Sequence, residues 1–298
     1  MGRLGPGQEG LNDDMWRIVF LAILLCAIGV AAALTYGARR WDAGVHEIYA
    51  RLDAARLRPD PAVYHVQELD GLPAPVQAYF RSALNDGQPI IAAVSMEQTG
   101  TMNMSQVAEK WRPFTAAERV VTRRPGFDWE AHIKMMPGVS VAVRDAYVSG
   151  EGLLHASLFG LFSLANARGT SAVNEGELIR YFAETAWYPT ALLPSQGVSW
   201  EAVDDTSARA TIKDGEITVT MLFRFNDESL IDSVRVETRP RTVGDEAVPT
   251  PWEGHWSEYA LRDGMHIPLA GEAAWMTPAG AKPYWRGRIT NLRYEYAR

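Results

Sequence analysis

One charged pair in this chain has a spacing that could support acid–base chemistry. Arg180 and Glu184 lie four residues apart, so a helix would place them on one face, where they can pair. If the pair were buried with Asp145 or Glu151, the resulting polar cluster could include a carboxyl group with a raised pKa that acts as an acid or a base. The alternative is a solvent-exposed ion pair that contributes roughly a few tenths of a kcal/mol to stability.

Aromatic residues form a second candidate binding feature. The chain contains ten tryptophans and eleven tyrosines, and most of the tryptophans lie in or beside segments with a β pattern. Such residues either fill a core or line a concave apolar surface that accepts an acyl chain, and in a sheet that curls without closing the two interpretations overlap. The candidate ligand-binding residues are Arg180, Glu184, Trp187, Tyr181, Asp145, Trp129, Phe127, Phe159 and Phe162.

The sequence lacks the motifs of several catalytic and cofactor-binding classes. It has no Gly-x-Ser-x-Gly elbow, no phosphate-binding glycine loop and no His-Glu-x-x-His helix, and its six histidines are scattered. The single cysteine, Cys26, excludes an intrachain disulfide and a multi-cysteine metal site. A net charge of −7 without a basic cluster argues against nucleic-acid binding. We therefore expect no cofactor, no metal and no nucleic-acid partner, and no catalytic residue is assigned.

The N-terminal region contains a long apolar run. Residues 18–38 carry no charge, and as a helix they would extend about 30 Å, the hydrocarbon thickness of a bilayer. Trp16, Tyr36 and Trp41 flank the run as an aromatic belt would. This pattern predicts a single membrane-spanning helix. The alternative is a signal peptide cleaved near the alanines at 31–33, although the apolar run continues past them.

The charges around this run give conflicting signals about orientation. Three arginines follow it by residue 51 and two precede it, which would place the large domain in the cytoplasm. A start at Met15 would instead leave a short Met-Trp-Arg leader of the kind that exported anchors use. We predict a single-pass protein of the bacterial inner membrane, with the bilayer as a partner and the soluble domain on the extracytoplasmic side.

The remaining chain changes from a helical to a β periodicity. The tail (1–17) and the membrane helix (18–38) are followed by a helical stalk (39–71) and one β-rich domain (72–298). Apolar residues alternate in short runs about ten residues apart, most clearly over residues 217–225, which predicts about eleven antiparallel strands. Residues 158–167 are apolar almost all round and, with residues 177–187, are predicted to form covering helices. The expected fold class is mainly β (α+β), a large curved antiparallel sheet or open half-barrel covered by a few helices.

Several local patterns, taken together, resemble a known set. They are Leu72-Pro-x-Pro-Val-x-x-Tyr-Phe80, Pro125-Gly-Phe-x-Trp129, Asp145-Ala-Tyr-Val-x-Gly150 and Arg180-Tyr-x-x-Glu184-x-x-Trp187-x-Pro-Thr-Ala-Leu-Leu-Pro194. Over nearly all of residues 60–298 the chain resembles an uncharacterised bacterial family, a domain of unknown function with an N-terminal membrane segment. The strand order with a helical cover is also similar to the half-barrel of periplasmic lipoprotein carriers, a likeness of architecture that implies no function by itself.

Three functional hypotheses follow from these patterns. The favoured one is a membrane-tethered protein that binds a lipid or another apolar ligand in the concave face of the half-barrel. The second is an enzyme of unknown reaction that uses the Arg180, Glu184 and Asp145 cluster. The third is a scaffold at the membrane whose β domain docks a protein partner.

Overall fold

The computed structural model describes residues 6–105, 108–244 and 246–297. Its α-helices are α1 (Pro6–Ala55), α2 (Ala74–Ala83) and α3 (Ser171–Ala183). Short 3₁₀ helices cover Val66–Leu69, Glu184–Trp187, Pro189–Leu192 and Pro194–Gln196. The strands are β1 (Ile91–Asn103), β2 (Trp111–Val121), β3 (Gly126–Met136), β4 (Val139–Val148), β5 (Glu151–Leu158), β6 (Phe162–Arg168), β7 (Ser199–Asp204), β8 (Ser207–Asp214), β9 (Ile217–Phe225), β10 (Ile231–Val243), β11 (Glu246–Arg262), β12 (Met265–Thr277) and β13 (Gly280–Tyr296).

All the strands of the described chain belong to a single antiparallel sheet. Its 13 strands run in the order β6-β5-β4-β3-β2-β1-β13-β12-β11-β10-β9-β8-β7. Two sequential meanders, β1 to β6 and β7 to β13, are therefore joined by the pairing of β1 with β13, in which Met102 lies opposite Trp285. The outer strands β6 and β7 do not pair with each other, so the sheet stays open. The predicted curved, open, mainly β architecture is confirmed, with thirteen strands instead of about eleven.

Residues 171–196, which we call the cover, connect the two open edges of the sheet. Thr170 caps α3, its hydroxyl oxygen accepting a hydrogen bond from the Val173 amide at 3.3 Å. Pro189 and Pro194 begin two of the 3₁₀ helices, where a missing N–H has no cost. Helix α3 contacts β3 to β6 from one meander and β9 and β10 from the other, which requires the sheet to curl around it.

The core fills the concave side of the sheet beneath the cover. In β9 the side chains of Val219, Met221, Phe223 and Phe225 are buried while the residues between them are exposed or partly exposed, as an alternating strand pattern requires. From the cover, Leu178, Phe182 and Leu192 are fully buried in the same cluster. The cover is therefore part of the core and not a loosely attached flap.

The prediction of a covering helix over residues 158–167 is wrong. Leu158 ends β5, and Phe162–Arg168 form the edge strand β6. Phe159 and Gly160 between them have φ of 56° and 66°, and the Leu161 amide donates to the Leu158 carbonyl at 3.1 Å, which closes a tight turn. An all-apolar run of this length has no periodicity that separates strand from helix. The covering helices are α3 and the 3₁₀ turns that follow it.

Helix α1 is continuous from the apolar run into the domain. Trp41, Val45, Ile48 and Leu52 are buried at helical spacing against the convex face of the sheet, where they meet residues of β1 to β4. N-terminal to these residues, the apolar part of the helix is exposed. By length and composition, α1 is the one helix of the described residues that is able to cross a membrane, as a membrane anchor or a signal sequence would.

Candidate functional site

A narrow cleft of about 90 Å³ lies between the cover and the concave face of the sheet. Its walls combine indole rings with charged side chains, because three strands of one meander and four of the other contribute residues around the end of α3. The lining residues are Met102, Trp129, Asp145, Arg180, Ala183, Glu184, Trp187, Arg239, Trp252, Gly254, Trp256, Glu272, Ala273, Tyr284 and Trp285.

Arg180 is the centre of the charged group in this cleft. Its Nη1 donates to Asp145 Oδ2 at 2.6 Å and its Nε donates to Glu184 Oε1 at 2.9 Å. The guanidinium also lies over the Trp129 ring at 4.5 Å and the Phe127 ring at 5.2 Å. Burial acts to lower the pKa of Arg180, but the carboxylates of Glu184 and Asp145 outweigh it and hold that pKa above its usual value. Arg180 is thus a fixed cation that links the cover to β4.

A second arginine, Arg239 of β10, lies across the cleft and was not among the sequence candidates. Its guanidinium stacks over Trp252 at 4.8 Å and donates to the Tyr284 hydroxyl and the Gly176 carbonyl, each at 3.3 Å. The Trp252 indole N–H also donates to the Tyr284 hydroxyl, at 3.0 Å. Arg239 is 59 residues from Arg180 in sequence, and no local pattern marks it, because only the curl of the sheet brings β10 to α3.

Behind the cleft lies a carboxyl pair that the sequence candidates also missed. Glu118 of β2 is buried, its Oε2 accepts a hydrogen bond from Gln98 Nε2 at 2.8 Å, and its carboxyl contacts that of Glu184. Burial, and then the nearby charge of Glu184, raise the pKa of Glu118 well above its usual value. A proton held by Glu118 bridges the two carboxyls as a hydrogen bond between Glu118 and Glu184. Gln98 in turn accepts from the Trp129 indole at 2.9 Å, which fixes that ring in the cleft wall.

Two more acids share this environment. Burial raises the pKa of Asp145, although Arg180 and Arg239 act to lower it. Burial and the Asp145 charge raise the pKa of Glu177 well above its usual value. The closed cleft also leaves Asp145 Oδ1 and the indole N–H groups of Trp187 and Trp256 buried without a hydrogen-bond partner. Each such group destabilises the fold by about 1–3 kcal/mol relative to a hydrated one. A ligand that supplies hydrogen bonds to these groups would remove that penalty.

The cleft adjoins a larger open groove of about 590 Å³. The two spaces share Met102 and Tyr284, and Met104, Trp275 and Pro283 add apolar surface along the groove. The groove lies where β1 and β12 end and β13 begins. Because neighbouring strands run antiparallel, this is also the end of the sheet that carries the β5–β6 turn. Together the two spaces form a polar-ended, aromatic-walled site that opens at this end.

The structure distributes the sequence candidates over three places. Arg180, Glu184, Asp145, Trp129 and Trp187 line the cleft.

Phe127 lies beneath Arg180 in the core, and Tyr181 points away from the cleft, its hydroxyl donating to the Thr122 carbonyl at 3.2 Å. Phe159 and Phe162 lie on the exposed β5–β6 hairpin and have no part in the cleft. Glu151 also lies outside it, paired with Arg51 and Arg168. Among the described residues, no group of three His, Cys, Asp or Glu side chains is arranged to hold a metal ion.

Several solved structures are similar to this chain at low identity. A DUF1329 family protein from Desulfovibrio piger is 11% identical with a TM-score of 0.36, and the match covers 69% of this chain and 86% of that one. A domain from Vibrio parahaemolyticus described as a candidate outer membrane lipoprotein-sorting protein is 10% identical with a TM-score of 0.36, covering 68% and 85%. A LolA superfamily protein from Nitrosomonas europaea is 10% identical with a TM-score of 0.29, covering 74% and 93%. At these TM-scores no function is carried over from them.

No curated protein matches this chain. A family profile matches residues 70–294, which is most of the chain and nearly all of the β domain. The resemblance to an uncharacterised family, stated from the local patterns, is confirmed. The chain belongs to the family of unknown function DUF6920.

Proposed function

We propose that this protein is a membrane-tethered binding protein for an amphiphilic lipid or a similar apolar ligand. The carrying observation is the continuity of the 590 Å³ groove with the indole-walled cleft, where Asp145 Oδ1 and the indole N–H groups of Trp187 and Trp256 lack hydrogen-bond partners. The apolar part of the ligand lies in the groove, and a small polar group enters the cleft beside Arg180 and Asp145.

The volumes of the cleft and the groove indicate which of them takes the polar group of the ligand and which takes its apolar chain. The cleft, at about 90 Å³, has room for about three waters at roughly 30 Å³ each, and ligand sites usually measure about 300–1,000 Å³. The groove, at about 590 Å³, falls in that range and can take an acyl chain without rearrangement. Its Met102, Met104 and Trp275 side chains are suited to a flexible apolar chain.

Ligand uptake involves local movement of the cleft walls and not a swing of the whole cover. The cover buries Leu178, Ile179, Phe182, Leu192 and Leu193 almost completely. Exposing five such side chains would cost on the order of 10 kcal/mol, as much as a typical domain's total stability. Rotation of Met102 and Tyr284, which are partly exposed and line both spaces, costs far less and widens the passage between groove and cleft.

Polar complementarity favours a ligand whose head group both donates and accepts hydrogen bonds. Asp145 Oδ1 needs a donor, whereas the Trp187 and Trp256 indoles need acceptors. A hydroxyl or amide group supplies both. A purely hydrocarbon ligand would leave the three groups unpaired and lose the free energy that their pairing contributes.

We also propose that α1 is retained as a membrane anchor that holds the domain on the extracytoplasmic side of the inner membrane. The helix has no break between its exposed apolar part and the residues Trp41 to Leu52 that pack on the sheet. Cleavage near residues 31–33 would cut inside a continuous helix. A retained anchor keeps the groove close to the bilayer that supplies its ligand.

The test is lipid retention by the full-length protein. Wild type and Ala273→Phe are extracted in mild detergent, and bound lipids are counted by native mass spectrometry. Ala273 lines the cleft, so the larger ring fills it, while α1 and its annular lipids are unchanged. We expect wild type to retain about one more lipid per chain than the variant. Equal lipid content in the two proteins would contradict the proposal.

A further inference from the structure

The tip of the β5–β6 hairpin, residues 158–164, exposes a group of apolar side chains. Phe159, Phe162 and Leu164 are 37%, 63% and 58% exposed. Phe162 and Leu164 are two residues apart in β6 and so lie on one face of that strand. None of the three lines the cleft or the groove, so ligand binding does not account for them.

The hairpin tip is in direct backbone contact with the apolar helix. A Cβ added to Gly37 of α1 would lie 2.8 Å from Leu161 Cγ and closer still to the Phe159 carbonyl, and one added to Gly160 would clash with the Gly37 carbonyl. Glycine on both sides is what lets the two backbones meet. Gly37 is the last but one residue of the uncharged run 18–38. The contact therefore fixes the hairpin tip at the depth where the membrane span ends.

The turn itself shows that an apolar residue is kept at an unfavourable position. Both central residues, Phe159 and Gly160, have positive φ, the arrangement in which Asn, Asp or Gly is normally found. A bulky phenylalanine there works against the backbone. Because an Asn-Gly pair would make the same turn more easily, the backbone of the turn does not itself require a phenyl ring at position 159.

A neighbouring turn extends the same surface. Met136, at the end of β3, is 63% exposed. The strand that follows, β4, pairs with β5, with Val141 opposite Leu158, so the β3–β4 turn and the hairpin tip project from the same end of the sheet.

We propose that residues 158–164 insert into the interfacial layer of the bilayer that α1 spans, as a second contact of the domain with the membrane. This proposal rests on the retained membrane anchor of the proposed function. At that depth the apolar side chains leave water and lie at the boundary between lipid headgroups and acyl chains, where interfacial anchors bind. Two points of attachment, α1 and the hairpin, would fix the orientation of the domain and point the groove at the lipid.

A second copy of the chain fits this surface less well. A stable protein interface buries about 800 Å² on each partner, and four side chains that are 37–63% exposed, each with a full area of roughly 150–250 Å², do not reach that area. Continuity with an exposed apolar helix further favours lipid as the occupant.

The test measures immersion depth in the full-length protein, reconstituted in vesicles of phosphatidylethanolamine and phosphatidylglycerol. A nitroxide is attached at Phe162→Cys in a Cys26→Ser background, and its collision rates with oxygen and with a water-soluble nickel chelate are compared. Leu261→Cys is the matched control. Leu261 is 58% exposed and lies next to a turn whose Asp263 accepts from the Tyr296 hydroxyl at 3.3 Å. The neighbouring Glu295 pairs with Arg56, which lies roughly 25–30 Å beyond Gly37 along the direction of α1. Residue 261 is therefore at the end of the sheet away from the membrane span.

We expect the oxygen-to-nickel accessibility ratio at residue 162 to exceed that at residue 261 several-fold. Equal ratios would overturn the proposal, as would a residue 162 label shielded from both reagents, which would mean that protein covers it. A label on the native Cys26, the only cysteine and an exposed one, reports the anchor separately. A membrane-embedded Cys26 with a water-exposed residue 162 refutes only the hairpin, whereas a water-exposed Cys26 refutes the anchor itself.

Discussion

Replacing Arg180 by methionine should destabilise the domain strongly, and much more at pH 8 than at pH 5. Arg180 is 14% exposed and is the shared partner of Asp145 at 2.6 Å and Glu184 at 2.9 Å. Methionine keeps much of the apolar packing but leaves both carboxylates without their cation. Removing one partner of a buried ion pair costs about 3–5 kcal/mol when the other stays charged.

The pH dependence follows from the acids that remain. Burial already raises the pKa of Asp145, and loss of Arg180 removes an interaction that lowers it, so the pKa rises further. A folded state with a raised carboxyl pKa takes up more protons than the unfolded chain, so its stability is retained at low pH and lost as pH rises. Asp145 carries more of its proton at pH 5 than at pH 8, so we expect the loss at pH 5 to fall towards about 1–2 kcal/mol, the contribution of the missing hydrogen bonds.

The assay is urea unfolding of the full-length protein in detergent, followed by tryptophan fluorescence at both pH values. Arg288→Met is the matched control, because Arg288 and its partner Glu258 are 46% and 54% exposed and such surface pairs contribute less than about 1 kcal/mol. An Arg180→Met loss no larger than that of Arg288→Met, or one that is the same at pH 5 and pH 8, would contradict the role of Arg180 as a buried shared cation.

Three further predictions concern the buried acids, the cleft wall and the topology. Burial raises the pKa of Glu118, so the unfolding free energy of wild type should fall as pH rises from about 4 towards the folded-state pKa. Glu118→Gln should flatten this slope in urea titrations between pH 5 and 8, and an unchanged slope would show that Glu118 is not the proton carrier. Trp187→Ala should lower stability by about 3–5 kcal/mol and Trp187→Phe by clearly less, measured by thermal unfolding; equal losses would mean that ring volume is not what matters. In a Cys26→Ser background, Leu261→Cys should react with an impermeant maleimide on cells with a permeabilised outer membrane and an intact inner membrane, whereas labelling only after lysis would place the domain in the cytoplasm.

The β architecture was readable from the sequence because it depends on local alternation. In residues 217–225 every second side chain is apolar, and a strand with one buried face is the structure that pattern favours. The shared face of Arg180 and Glu184 was equally local, because i and i+4 positions meet on any helix. No local pattern selects Asp145 as their partner over Glu151. The curl of the sheet brings Asp145 to Arg180, 35 residues away in sequence.

Features that depend on pairing between distant strands could not be predicted from the sequence. Met102 lies opposite Trp285 because β1 pairs with β13, and nothing in either segment specifies that pairing. Arg239 and Glu118 reach the site for the same reason. The hairpin at residues 158–164 was misassigned as a helix because its turn is made by Phe159-Gly160, without the Asn or Asp that usually marks such turns.

The most direct test of the central claim is contact between a lipid chain and the tryptophans of the site. Full-length protein carrying Trp16→Phe, which removes an indole beside the membrane span, is placed in nanodiscs of phospholipid brominated in its acyl chain. We predict indole quenching that drops when Trp275 of the groove is changed to Phe, and that is unaffected by Trp200→Phe, because Trp200 is buried in the core against Phe80 and Phe223. If Trp275→Phe leaves the quenching unchanged, no acyl chain reaches the site and the binding function is contradicted.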